Sequence, residues 1–351
     1  VKDILRTAEL ALKTLLAQIP VIEIARVRLE QRIGDRRVDL AASVRTGGES
    51  YTLACEVLVN GQPRYVDIGL LRAREHLSIG GLNIVPVLVA PYFSPSTREM
   101  CHRSGVGYID LEGNARLAFG AVFIDRQLSD KPSVERRELK SLFRPKSAQV
   151  LRILLREPDR RWRVTALADA ACVSLGHVSN VRTGLLDRQW AETDKDGLFL
   201  SNPSALLDSW RDSYSPEPGD RRSFYTTLHG TALVEAARGA LGAADTRGSA
   251  AFASFSAAGW IAPYARTGTH YFYATEGGLG KLTSALNLEP ASKGENIVVT
   301  IPKDQGVFID TIEPAPGAIC TGLVQTYLDL TLAGERGEEA ARYLRQERMT
   351  W

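Results

Sequence analysis

The sequence predicts an α+β multidomain protein. It divides into an N-terminal α/β domain over residues 1–125, a basic linker over 126–147, a central winged helix-turn-helix over 148–202 and a C-terminal α+β domain over 203–351. Three observations carry this reading. The chain has 351 residues, more than a single hydrophobic core usually serves. Strand-like and helix-like runs alternate through its first third. Its middle holds three apolar-periodic helical runs followed by a hairpin with Asp-Gly at the tip.

Residues 1–19, "VKDILRTAELALKTLLAQI", repeat Ile4, Ala8, Leu12, Leu15, Leu16 and Ile19 at helical spacing and carry charges throughout. An amphipathic helix explains them better than an export signal. "RRVDLAASV" (36–44) and "YTLACEVLV" (51–59) read as two strands of a hairpin joined through "RTGGES". A helix is expected within 63–79, then a buried strand in "NIVPVLVAP" (83–91). "SPSTREMCHRSG" (94–105) has a Ser start and a Gly stop, so it reads as a short helix. "VGYIDL", "ARLAF" and "AVFID" look like further short strands. Residues 126–147 are polar, basic and interrupted by Pro132 and Pro145, which suits a connection between domains.

"AQVLRILLRE" (148–157) is an apolar-periodic helix, and 164–190 reads as two helices joined by a tight turn near Cys172 and Val173, with Ser174 capping the second. Leu167, Ala168 and Ala171 on the first, and Val178, Val181, Leu185 and Leu186 on the second, are the core faces. That leaves Ser174, His177, Ser179, Asn180, Arg182 and Thr183 for base edges and phosphates in a major groove. "AETDKDGLFLSNP" (191–203) forms the wing, whose tip offers Lys195 to a neighbouring phosphate or minor groove. The competing reading of this module is a surface for protein partners only. Beyond it, helices are expected near 231–243, 248–258 and 322–348, and strands in "HYFYAT" (270–275) and "NIVVTI" (296–301). "EGGLGKL" (276–282) lacks the spacing and the Ser/Thr of a P-loop and reads as a turn entering a helix.

Apolar residues make up 44% and charged residues 24%, ordinary values for a globular chain. No apolar run approaches the ~18 residues of a membrane span, so no membrane partner is expected. Four cysteines and five histidines are dispersed, which disfavours a zinc site or a disulfide framework and favours buried thiols in a reducing cytoplasm. Net charge is +2, yet residues 126–163 hold twelve Lys/Arg against five Asp/Glu. Such segregation makes a local anion-binding surface or, in the competing reading, a solvated linker.

Asp39 and Glu56 fall on consecutive predicted strands, where a strand end can hold two carboxylates near one divalent metal. The triplet there is Glu56-Val57-Leu58, followed by "NGQPRYV". Over residues 20–125 this layout resembles the restriction-endonuclease-like, or PD-(D/E)xK, family. The resemblance implies a lysine in place of Leu58, and Arg64 and Arg72 are the candidate substitutes. The expectation is a nuclease-like scaffold without efficient cleavage, with no catalytic residue, metal or cofactor. The alternative is an endonuclease using Mg²⁺ or Mn²⁺ on Asp39 and Glu56. In "GVGYIDLEGNARLAF" (105–119), Asp110, Glu112 and Asn114 look catalytic, but a strand–turn–strand with Gly113-Asn114 in the turn is preferred.

"GVGYIDLEGNARL", the winged helix and "VQTYLDLTLAGERGEEAARYLR" (324–345) together resemble the AbiEi-like antitoxin regulators of type IV toxin–antitoxin systems. Gly322 and Leu323 stand where the resemblance leads one to expect a proline. It implies a transcriptional autoregulator that binds double-stranded DNA and whose C-terminal region counteracts a nucleotidyltransferase-type toxin, direct contact not being required. The runner-up is a metal-dependent DNA endonuclease targeted by its winged helix; the third reading is a noncatalytic scaffold. In the C-terminal stretch, Val324, Tyr327, Leu328 and Leu332 share a helix face suited to a core, with Gln325 and Asp329 on another.

Overall fold

A computed structural model of the chain describes residues 2–33, 36–77, 83–128, 132–216, 219–264 and 267–351. It forms two compact units, one of Val1–Arg137 with Leu186–Gln189, the other of Glu138–Leu185 with Trp190–Trp351. Residues 78–79 of the helix expected over 63–79 and residues 129–131 of the expected linker lie outside the described residues.

The first unit runs α1 (Lys2–Ala17), β1 (Glu23–Ile33), β2 (Arg36–Thr46), β3 (Glu49–Val57), α2 (Pro63–Leu77), β4 (Ile84–Ala90), α3 (Pro95–Arg103), β5 (Gly107–Asp110), β6 (Ala115–Phe119) and β7 (Val122–Arg126). Its seven strands form one sheet in chain order. The pairs β3–β4 and β4–β5 are parallel and the others antiparallel. Ala8, Leu12 and Leu16 of α1 pack on Leu40, Leu53, Cys55, Val87 and Val89. Val66, Leu70 and Ala73 of α2 pack with Leu58, Leu88, Phe93 and Tyr108. Fully burying a Leu of this kind contributes roughly 1.5–3 kcal/mol. α3 begins as its sequence suggests: the Ser94 side chain accepts from the Thr97 N–H at 3.3 Å and Pro95 opens the helix.

Two elements depart from expectation. β1 has no counterpart in the sequence reading. Val27, Leu29, Gln31 and Ile33 do alternate along it, but a register shift between Ile24 and Arg26 breaks the period, and most of this edge strand is exposed. The expected linker also contains a helix, α4 (Ser133–Leu142), because Leu139 and Leu142 are buried.

In the second unit, α5 (Pro145–Arg156), α6 (Val164–Ala170), α7 (Leu175–Asp187), β8 (Ala191–Thr193) and β9 (Leu198–Leu200) follow the order of a winged helix-turn-helix. Then come α8 (Pro203–Ser213), β10 (Gly219–Tyr225), α9 (Gly230–Gly242), β11 (Ala250–Phe252), α10 (Ser254–Ile261), β12 (His270–Ala274), α11 (Glu276–Leu286), β13 (Glu289–Pro290), β14 (Ile297–Pro302), α12 (Leu323–Thr331) and α13 (Gly334–Arg348). Five strands make a sheet in the order β11-β12-β14-β10-β13. The helix expected over 248–258 is a strand, then a helix. Ala250 and Phe252 pair with Ala274 and Phe272, and that ladder overrides the helix propensity of an Ala-rich run. "EGGLGKL" does enter a helix, α11, capped by Thr275.

No compact-unit boundary falls at residue 202. Every residue of α5 from Ala148 to Leu155 is buried, the mark of a helix surrounded on all sides. Arg152 donates to Gln325 Oε1 at 2.5 Å, Gln149 to Asp304 at 2.7 Å and Arg156 to Asp310 at 2.9 Å. In α12, Val324, Tyr327 and Leu328 are buried as expected, but Leu332 is 49% exposed and Gln325 is wholly buried. Gln325 reaches the interior because Arg152, Tyr214 and Asp329 satisfy its amide there.

Candidate nucleic-acid interface

The turn between α6 and α7 needs a residue in the left-handed region, and Cys172 takes it at φ 51°. The N–H of Val173 then bonds the Ala168 carbonyl at 3.0 Å, closing α6. Ser174 begins α7: its side chain accepts from the His177 N–H at 3.4 Å and lies 2.9 Å from His177 Nδ1. Val178, Val181 and Leu185 of α7 are buried with Leu167, Ala168 and Ala171 before it, which leaves Ser179, Asn180 and Thr183 on the exposed side. Ser174, His177, Ser179, Asn180, Arg182, Thr183 and the wing's Lys195 are all exposed. Thr183 returns its hydroxyl proton to the Ser179 carbonyl, which leaves its oxygen to accept.

A cleft of 520 Å³ at the start of α7 is lined by Lys146, Asp169, Cys172, Ser174 and His177. α7 carries no acidic residue before Asp187, so the positive end of its dipole is not offset by a carboxylate within the helix's first turn. The wing is fixed rather than loose. A Cβ on Gly197 would meet the Trp162 carbonyl oxygen at 2.5 Å, and Trp162 bridges Leu198. Asp194 accepts from the Asp196 and Gly197 N–H groups, and these bonds, the first above all, hold its carboxyl below the usual range. Beside the wing, Arg160 lies over the Trp162 ring at 3.8 Å and Arg161 over Phe199 at 4.2 Å. Neither arginine is among the residues expected to meet DNA. The signal was available in "DRRWR", where paired arginines flank a tryptophan.

In the first unit, Asp39 and Glu56 come together. They stand one register step beyond the Leu40–Cys55 pair, on one face of the sheet, and Asp39 accepts from the Val57 N–H at 2.9 Å. Glu56 is 6% exposed and bonds His76 Nε2 of α2 at 2.8 Å. Burial pushes its carboxyl above its ordinary value, against the His76 hydrogen bond, while Asp39 raises it and Arg72 lowers it. Leu58 is buried in the cluster with Val66, Leu70 and Phe93. Arg64 and Arg72, the candidate substitutes for lysine, are exposed. No group of three metal-ligating His, Cys, Asp or Glu gathers among the described residues. One of the two Glu56 oxygens is engaged by a buried imidazole, which leaves fewer oxygen ligands for a divalent ion at this pair. His76, twenty positions away from Glu56 in the chain, has no local sequence signal to mark it.

Asp110 is also buried, at 1% exposure, but its oxygens accept from the N–H groups of Phe93, Glu112 and Asn114 and from the Asn114 amide. Gly113 adopts φ 103° in that turn. This carboxylate holds the β5–β6 connection together, as the strand–turn–strand reading expects. No protein-family model, curated protein or solved structure matches the chain.

Proposed function

We propose that the protein is a DNA-binding transcriptional regulator, an AbiEi-like antitoxin that autoregulates its operon and counteracts a nucleotidyltransferase-type toxin. The observation that supports the DNA half is the exposure of Ser174, His177, Ser179, Asn180, Arg182 and Thr183 around the buried stripe of α7, beside a wing carrying Lys195. Short polar side chains there meet base edges, and the N-terminus of α7 with Arg182 and Arg160 meets phosphates. The antitoxin half rests on the resemblance of residues 105–117 and 324–345. Double-stranded DNA is the partner; the toxin need not be touched directly.

Titrating a labelled duplex from the protein's own promoter, against a random duplex and at several salt concentrations, tests the DNA half. The promoter duplex should bind more tightly, and Arg182→Ala should flatten the salt slope by about one unit. Equal binding to both duplexes overturns operator recognition. Co-expressing the full chain with the toxin encoded beside it tests the other half, and unrelieved growth arrest overturns it.

One observation favours the second reading, a metal-dependent endonuclease: Asp39 and Glu56 do stand side by side. Against it weigh the Glu56–His76 bond and the apolar surroundings of Leu58. Plasmid DNA incubated with Mg²⁺ or Mn²⁺ should stay intact, and cutting that Glu56→Ala removes would reverse the order of the two readings.

A further inference from the structure

A cavity of 440 Å³ opens on one face of the five-stranded sheet, within the size range of small-molecule sites. Arg221 of β10 and Tyr273 of β12 both pair with Thr300 of β14, so the three side chains share that face. Two strand spacings separate Arg221 from Tyr273, about 10 Å. The rings of Tyr271 and Phe255 lie 6.3 Å apart and supply an aromatic wall. The last turn of α12 closes the opposite side with Asp329.

The walls differ in sign. Arg221 is exposed, and no carboxylate among the described residues pairs with it. The first turn of α10 enters the cavity at Ser254 beside Tyr271 of β12, whose N–H donates to Ser256 Oγ at 2.8 Å. Across the cavity, Asp329 Oδ1 accepts from Tyr214, Tyr273 and Gln325 at 2.8, 3.2 and 2.8 Å. That network fixes the carboxylate with its other oxygen buried, so it acts on the cavity through its field, to which the carbonyl end of α12 adds. A cavity positive on one wall, negative on the other and aromatic between selects a ligand with the same three parts.

We propose that this cavity binds a free α-amino acid. Its carboxylate meets Arg221, its ammonium lies toward the carbonyl end of α12 in the field of the buried Asp329 carboxylate, and its side chain lies on Tyr271 and Phe255. The same carboxylate leads to the DNA-reading module. Asp329 is joined by Gln325 to Arg152, and Arg152 belongs to α5, the first helix of the winged helix. An amino acid that tightens or loosens Asp329 therefore shifts the seating of α5, and with it DNA affinity. Only this last step rests on the DNA-binding reading above.

The experiment uses the full chain and each of the twenty amino acids, with nucleoside monophosphates and simple carboxylates as comparators. Thermal melting of the wild type is followed first. At about a hundred times Kd, the matching amino acid should raise the melting temperature by roughly 5–10 °C. Arg221→Gln, at an exposed position without an ion pair, should melt as the wild type does alone and show no rise. No rise with any amino acid overturns the site. A rise confined to nucleotides or simple carboxylates overturns the zwitterion assignment, and a rise kept in Arg221→Gln overturns the orientation. The promoter titration is then repeated with the amino acid, which should change affinity by about 5- to 150-fold. Unchanged affinity overturns the link to α5. If the wild type binds no DNA at all, the regulator reading fails, while the melting data still decide the site.

Discussion

Arg152 sits at 2% exposure, bonds Gln325 Oε1 at 2.5 Å and lies 5.9 Å from the Trp210 ring centroid. Arg152→Ala removes a charge-assisted hydrogen bond, worth about 1.5–3 kcal/mol, and leaves the Gln325 oxygen buried without this donor. Lost packing of the guanidinium against Trp210 adds about 1 kcal/mol or more. The sum, roughly 3–5 kcal/mol, matches what breaking one side of a buried polar pair usually costs. At about 2–4 °C per kcal/mol this lowers the melting temperature of the second unit by roughly 6–20 °C. Urea unfolding followed by tryptophan fluorescence measures it, with Trp210 beside the mutated side chain as local reporter. The cycle with Gln325→Ala should return a coupling above about 1 kcal/mol. A loss under about 1 kcal/mol, or a coupling near zero, refutes the claim that α5 is locked to α12 by this bond. The same logic predicts that a chain ending at residue 202 will not keep α5 folded, and limited proteolysis should digest its residues 148–202 quickly.

Leu58→Lys should not awaken cleavage: it buries an ammonium among Val66, Leu70 and Phe93 and should cost several kcal/mol, and a normally stable, DNA-cutting variant would sink that account. Glu56→Gln should flatten the dependence of stability on pH. Because burial raises the folded-state value of Glu56, the wild type loses stability as pH climbs from the free carboxyl's ordinary value to the raised one, and the loss is constant above it. Urea midpoints from about pH 4 to about pH 8 check this, and parallel curves for the two proteins contradict it. Asp110→Ala leaves four donors without their acceptor and should cost at least about 3 kcal/mol by thermal melting, whereas Glu112→Ala, at an exposed turn position, should cost under about 1 kcal/mol; equal losses would count against the carboxylate's role as the turn's anchor.

What was legible in the sequence was local. α1 is written in the spacing of Leu12 and Leu16, α3 in Ser94, Pro95 and Gly105, and the helices α6 and α7 in two apolar faces around Cys172. Each is decided by residues within two helical turns of one another, where spacing and capping set the energy. β1 failed that test near its start, since the register shift after Ile24 puts Glu23 and Ile24 out of phase with residues 26–33, most of which are exposed. The run at 248–258 failed for the opposite reason: its local preference was clear, and a ladder to β12, far along the chain, outweighed it.

The carboxylates show the same divide at the level of chemistry. That Asp39 and Glu56 stand together was readable, because hairpin strands joined by a short turn bring such positions into register. What Glu56 does there was not readable, because its partner His76 comes from α2 and Leu58 turns into the apolar cluster beneath that helix. The polar interior of the second unit lies further still from local reach. Arg152 and Gln325 are 173 residues apart, and each alone reads as a surface residue on an amphipathic helix. They are buried because each meets the other's hydrogen-bonding need, a condition that no single segment can express. For that reason the run from α5 to β9, legible as a local pattern, is tied to the rest of its unit: Arg152 of α5 finds its acceptor on α12.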